Sequence, residues 1–218
     1  MNLTANVIGA TGLVGKQLVE FLLGNESFSG IRIFVRRDTG LRHPKLEQHI
    51  VSFGDENSWG ELLKGDVLFS ALGTTIKQAG SKEKQYEVDF SFNFSFAKRA
   101  KRNGIKNYVL VSSTGANAKS AIFYTRIKGE LDDAVSGLGF ENLAVLRPSY
   151  LAGDRERKRR AEEFFVPVAR FVTRFVFRKY RPIEDKTVAR AMINVVLKPD
   201  ADKTIWEADE VFELADKI

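Results

Sequence analysis

The chain predicts an α/β fold: a doubly wound parallel sheet with a small C-terminal helical segment. Two observations carry that prediction. Short apolar runs alternate with amphipathic stretches at helical spacing, as strands covered on both faces by helices do. A glycine-rich turn joins the first apolar run directly to the first helix. The length of 218 residues suits one such domain, here residues 1–218, with 150–185 as a distinct basic and aromatic segment.

The elements follow in order. "NVIGATGLVGKQLVEFLL" reads as a strand, a glycine turn and a helix whose apolar stripe is Leu13, Val14, Leu18, Phe21 and Leu22. "IRIFVRR" is a second strand. A short strand near His49–Phe53 and a small helix around Trp59–Lys64 come next. "DVLFSALG" is an apolar strand ending in glycine. One long helix runs roughly from Lys82 to Asn103 and stops at Gly104. "NYVLVSS" is a strand, "AIFYTRIKGELDDAV" a helix, and "NLAVLRPS" a strand closed by Pro148. Beyond Ser149 the alternation breaks. A basic, aromatic stretch spans 154–181, then "IEDKTVARAMINVVL" reads as a helix, "TIWEA" as a short strand, and a terminal helical turn ends the chain.

Composition narrows the chemistry. There is no cysteine, which excludes disulfides and thiolate catalysis. His43 and His49 are the only imidazoles, and they do not stand at metal-ligand spacing. The first residues lack a basic stretch followed by an apolar one, and no apolar run reaches the roughly 18 residues of a membrane span. A cytoplasmic protein with no membrane span is the expectation. The net charge is +6, and residues 151–190 account for it with twelve Lys and Arg against six Asp and Glu. That segment has no recognisable reading motif and the rest is neutral, so no nucleic-acid partner is expected.

Gly9, Gly12 and Gly15 form G-x-x-G-x-x-G between the first strand and the first helix. Glycines permit the tight turn, and the helix N-terminus offers unpaired N–H groups and a positive dipole to a pyrophosphate. The turn therefore predicts a Rossmann dinucleotide site, with Thr11, Leu13 and Val14 beside the cofactor. An NAD site often carries an acid at the end of the second strand; this chain carries Arg36 and Arg37. Guanidinium pairs with a 2′-phosphate that a carboxylate would repel, so the expected cofactor is NADP(H). Asp38 follows at once and weakens that argument, and a solvated strand end is the plainer alternative.

"FYTRIKGEL" places Tyr124 four residues ahead of Lys128, one above the other on a helical face. Eleven residues before Tyr124, the strand Tyr108–Val111 runs into Ser112 and Ser113, at the strand end where ligands bind in such sheets. With "ALGTT", "YEVDF", "VSSTGA" and "LRPSYLAGDR" in this order, the sequence over roughly residues 5–200 resembles the short-chain dehydrogenase/reductase superfamily. The likeness is to its atypical branch, which includes the Tat-interacting oxidoreductase-like proteins and their bacterial relatives.

The resemblance implies roles. Ser113 would hydrogen-bond the substrate carbonyl oxygen, with Ser112 or Thr114 as alternatives if the register slips. Tyr124 would donate the proton to that oxygen. A free phenol, with a pKa of about 10, shuttles protons slowly at neutral pH, and a neighbouring ammonium favours the phenolate. Lys128 would supply that ammonium and reach the nicotinamide ribose. Leu72, Gly73 and Thr74 would lie along the cofactor, and Pro148 would border the nicotinamide pocket. Asp55 stands where the family has an acid beside the adenine, or else caps the short helix that follows it. Asp89 falls where longer members often have Asn, which leaves a fourth active residue open.

Two functions follow. One is an NADP(H)-dependent oxidoreductase reducing a small carbonyl compound through Ser113, Tyr124 and Lys128. The other is a regulator that binds the cofactor as a ligand and acts through a protein partner. In "FFVPVARFVTRFVFRKYR", residues 164–181, Arg170, Arg174 and Arg178 recur every four residues beside an apolar surface. That helix is a solvated face, an internally paired one, or a face for an acidic substrate, a homodimer, a protein partner or a membrane surface.

Overall fold

The computed structural model describes residues 2–151 and 181–217. Within them, seven parallel strands form one sheet: β1 (Leu3–Ile8), β2 (Phe28–Val35), β3 (Leu46–Ile50), β4 (Val67–Ser70), β5 (Asn107–Val111), β6 (Asn142–Arg147) and β7 (Ile205–Glu207). Their order is β3-β2-β1-β4-β5-β6-β7. The chain builds outward from β1 to β3, then crosses to β4 and builds the other way. β1 therefore has β2 on one side, with Val7 opposite Ile33, and β4 on the other, with Val7 opposite Phe69. The reversal between β1 and β4 leaves a crevice at the carboxyl ends of the strands.

The apolar runs are strands because both faces are covered. All four residues of β4 are buried, as are the last four of β1. Side chains alternate between two cores. Val7, Ile33, Val67 and Phe69 pack under α1 (Leu13–Gly24), α6 (Asp185–Leu197) and α7 (Ala208–Ala215). Ile8, Phe34, Leu68 and Tyr108 pack on the opposite face, under α4 (Asn93–Arg102) and α5 (Phe123–Ser136). There Trp59 stacks on Phe96 at 3.7 Å between ring centres.

Three local expectations are corrected. The strand expected near His49–Phe53 is Leu46–Ile50, because its partner β2 sets the register, with Ile31 opposite Leu46. The helix expected around Trp59–Lys64 is a single 3₁₀ turn at Glu56–Ser58, started by Asp55; the apolar side chains of Trp59 and Leu63 are drawn into the core from irregular chain. The helix expected from Lys82 to Asn103 is not uniformly α. After a one-turn α2 (Ile76–Ala79), α3 (Lys82–Tyr86) opens into a π-turn over Glu87–Phe92 before α4 resumes. Such widened turns concentrate at functional sites.

The helix read over 164–181, with Arg170, Arg174 and Arg178, lies outside the described residues save its last, Arg181. On either side of that stretch the chain is clasped: the Ser149 hydroxyl donates to the Arg181 carbonyl, and the Ile183 N–H donates to the Tyr150 carbonyl at 3.0 Å. Among the described residues, no helix is long and apolar enough to cross a membrane.

Candidate functional site

The glycine turn has the steric necessity that its position implied. Gly9 stands at φ +80°, and a Cβ there would lie 2.4 Å from the backbone of Ala71, at the end of β4. At Gly15 a Cβ would lie 2.0 Å from the Gly9 carbonyl oxygen. The start of α1 is thereby drawn down onto β1. Gly12 is the N-cap of α1, in extended conformation, with no side-chain cap and no acidic residue in the first turn. The first intrahelical bond runs from Lys16 N–H to Gly12 O at 3.0 Å, so the amides of Leu13, Val14 and Gly15 precede it. Thr11, Gly12 and Leu13 are exposed at the crevice, while Val14 and Gly15 are buried beneath them. A glycine turn at a helix start without acids fits a phosphate group.

Arg36 and Arg37 follow β2 and are exposed. Asp38 does not compete with them, because its carboxylate is tied into its own loop. It accepts from the Arg42 guanidinium at 2.9 Å, Gln48 Nε2 at 2.6 Å and Gly40 N–H at 2.9 Å. The Arg42 guanidinium, helped by Gln48, holds its pKa well below the usual carboxylate range. Asp55 takes the capping role: its side chain accepts from Asn57 N–H at 3.1 Å.

On the other side of the crevice the three hydroxyls after β5 divide their tasks. Ser112 is buried and donates to Asp132 Oδ2 at 3.0 Å. Thr114 donates to the Arg147 carbonyl at 3.0 Å. Ser113 is half-buried and has, among the described residues, only a long 3.4 Å contact with the Thr114 carbonyl. Of the three, Ser113 is the hydroxyl left for a ligand. Tyr124 lies in the first turn of α5, 40% exposed. Lys128 lies one turn on and is buried, with Nζ 6.0 Å from the centre of the Tyr124 ring. Pro148 is buried behind this loop, and its carbonyl accepts from Thr114 N–H at 3.0 Å. Gly129 lets the β5–α5 loop lie on the helix: a Cβ there would come within 2.2 Å of Ala118 N and 2.3 Å of the Asn117 carbonyl carbon.

Lys128 is charged. Burial opposes its ammonium, but the Asp89 carboxylate, 3.0 Å from Nζ, outweighs that with help from Tyr124 and Asp132, and its pKa is raised. Asp132 is also buried, and burial pushes its carboxyl up despite Ser112 and Arg147. Arg147 Nε reaches Asp132 Oδ2 at 2.9 Å and Nη1 reaches Glu207 at 3.0 Å, joining α5, β6 and β7 beneath the crevice.

Sequence reasoning left Asp89 as an open departure and overlooked its neighbours. Gln85, Asp89 and Asn93, each four residues apart along the π-bearing helix, grip the loop after β4. Gln85 Nε2 donates to Thr74 O at 3.2 Å, Asp89 Oδ2 accepts from Thr74 N–H at 2.9 Å, and Asn93 Nδ2 donates to Leu72 O at 3.2 Å. All three are buried. Their four-residue spacing, which places three polar side chains on one helical face, was the signal for them.

Comparison with known proteins gives the family and the fold. A protein-family model described as NAD(P)H-binding matches residues 9–199. Among curated proteins, a protein named fmp52, mitochondrial, of Emericella nidulans is 35% identical over 93% of this chain and 94% of its own length. One of the same name from Candida glabrata is 34% identical over 99% and 97%. Among solved structures, a short chain dehydrogenase family protein from Francisella tularensis superposes with a TM-score of 0.69 at 15% identity, covering 94% of this chain and 95% of its own. UDP-glucose 4-epimerase from Thermotoga maritima superposes with a TM-score of 0.67 at 14% identity, covering 98% and 82%. The structural likenesses establish the doubly wound fold. The relatives' names overturn one expectation: they are called mitochondrial, so the cytoplasmic placement read from the leading residues does not stand.

Proposed function

The chain belongs to the NAD(P)H-binding family, and on that premise we propose that it is an NADP(H)-dependent reductase of a small carbonyl compound. The observation that carries this reading is the buried ammonium of Lys128, one helical turn from the exposed phenol of Tyr124 and across the crevice from the glycine turn. A buried charge is costly and is kept where its field is used.

Bound NADPH supplies a hydride. The chain's own residues do the rest. The amides at the start of α1 would hold the pyrophosphate, and Gly9 and Gly15 let the turn pack tightly enough to present them at the crevice. Ser113 donates a hydrogen bond to the substrate carbonyl oxygen. Tyr124 passes its proton to that oxygen, while Lys128 keeps positive charge beside the phenol and reaches the ribose. Arg36 and Arg37, freed from Asp38 by the Asp38–Arg42 contact, take the 2′-phosphate.

The substrate side is tested by incubating the protein with NADPH and a panel of aldehydes and ketones, following the loss of NADPH absorbance. Turnover of at least one class is expected. Tight NADPH binding with no turnover of any would instead favour the regulatory reading. The cofactor side is tested by calorimetric titration. NADPH is expected to bind at least about tenfold more tightly than NADH, a difference of about 1.4 kcal/mol. Substituting both Arg36 and Arg37 by alanine should remove the preference; an unchanged ratio would sink the assignment. The relatives' names support a mitochondrial setting for this chain too, and co-fractionation of a tagged copy with mitochondria checks it.

A further inference from the structure

We propose that Asp89 is a positioning residue whose carboxylate ties the crevice-lining loop at Thr74 to the ammonium of Lys128. This rests on the reading of the crevice as an NADPH site. A hydrogen-bond donor and a cation converge on Asp89 from different elements. The Thr74 N–H, from the loop after β4, meets Oδ2 at 2.9 Å, and Lys128 Nζ, from α5, stands 3.0 Å from Oδ1. Asp89 is 1% exposed and Lys128 4%, so water does not stand in for either partner.

The chemistry of the position calls for Asp and not Asn. A carboxylate offers two acceptor oxygens and no donor, whereas a carboxamide offers one oxygen and an NH₂. An asparagine here would turn its NH₂ toward either the Thr74 N–H or the ammonium. It would also leave Lys128 without its nearest counter-charge, and a buried ion stripped of its partner is strongly unfavourable. Asp132, the other carboxylate acting on Lys128, is held by Ser112 and Arg147.

The pair lies directly under the crevice floor. A Cβ on Gly73 would be 3.2 Å from Asp89 Oδ1 and 3.6 Å from Lys128 Nζ. Gln85 and Asn93, four residues to either side, hold Thr74 O and Leu72 O. The π-turn thus presents one carboxylate that fixes the cofactor-side loop and the lysine against each other. Asp89 acts through Lys128 and not on the reacting atoms.

The test is a double-mutant cycle on NADPH affinity, read by nucleotide fluorescence, with wild type, Asp89→Asn, Lys128→Met and the double variant. Asp89→Asn is expected to weaken binding by about tenfold or more when Lys128 is present, and by less than about threefold when residue 128 is methionine. Equal losses in both backgrounds overturn the proposal, because a merely structural residue is missed whatever stands at 128. A wild type that binds neither NADPH nor NADH overturns the cofactor reading itself, and this inference with it. Asp89→Glu keeps two acceptors and guards against a poorly folded Asp89→Asn. It is expected to retain most of the affinity, and if it loses as much as Asp89→Asn, a carboxylate is not what the position requires.

Discussion

Replacing Tyr124 by phenylalanine is expected to lower kcat for carbonyl reduction by about 10²–10⁴-fold, the range for loss of a positioned proton donor, and to leave NADPH affinity unchanged. The rate loss corresponds to about 2.7–5.4 kcal/mol in the barrier. The two effects separate because the substitution removes one oxygen and keeps the ring. Tyr124 is 40% exposed in the first turn of α5, so its hydroxyl is not part of the core. The ring's contact with the Lys128 ammonium, 6.0 Å away, survives in phenylalanine. Lys128→Met should differ by damaging turnover and binding together, since it also leaves Asp89 buried without its cation. Single-turnover rates and nucleotide titrations on the two variants make the comparison. Full kcat in Tyr124→Phe, on a substrate the wild type reduces, would show the proton comes from elsewhere.

The second large effect is on stability. Alanine at Gly15 or Gly129 is expected to destabilise the fold by about 3 kcal/mol or more, at the upper end of what overpacking costs. In a chain of this size that lowers the unfolding midpoint by about 6–12 °C. The new methyl at residue 15 would sit 2.0 Å from the Gly9 carbonyl oxygen, and that at residue 129 would sit 2.2 Å from Ala118 N. Both obstacles are backbone, so no rotamer change relieves them; the helix or the loop has to move. Gly24, at the end of α1, provides the contrast. A Cβ there meets nothing within 4 Å, and its φ is not positive. Gly24→Ala is expected to be neutral or to stabilise by about 0.4–1 kcal/mol. Melting curves for the three variants decide it, and a Gly15→Ala protein that melts with the wild type would refute the close packing of α1 on β1.

Gly15 and Gly129 show how differently parts of this molecule could be read. Gly15 was legible because its reason is local: strand, turn and helix follow one another within a few residues, and the spacing of Gly9, Gly12 and Gly15 announces the turn. Gly129 looked like an ordinary helical glycine. Its reason is the loop at Asn117 and Ala118, which reaches it only after β5 and α5 have packed side by side. The same division runs through the three hydroxyls after β5. The family resemblance proposed Ser113 as the substrate-facing group, with Ser112 and Thr114 as alternatives. Asp132 and the Arg147 carbonyl then claim the two alternatives, and both come from elements further along the chain.

The sequence by itself determined the parallel α/β sheet, the glycine turn and the Tyr124–Lys128 spacing. Each of these is a pattern of period or of near neighbours along the chain, enforced by backbone sterics and by the burial of apolar faces. It misjudged β3, the short helix near Trp59 and the uniformity of the helix from Lys82. It also could not give Asp89 a role. Those were decided by tertiary structure, because their partners are distant. β2 sets the register of β3, the core draws in Trp59 and Leu63, and the backbone groups of Leu72 and Thr74 meet Asn93, Gln85 and Asp89 across the π-turn. A carboxylate at residue 89 has an electrostatic purpose only once α5 brings the Lys128 ammonium within 3.0 Å of it. In a buried site of low dielectric, that meeting of charges and not the identity of either residue gives the pair its meaning.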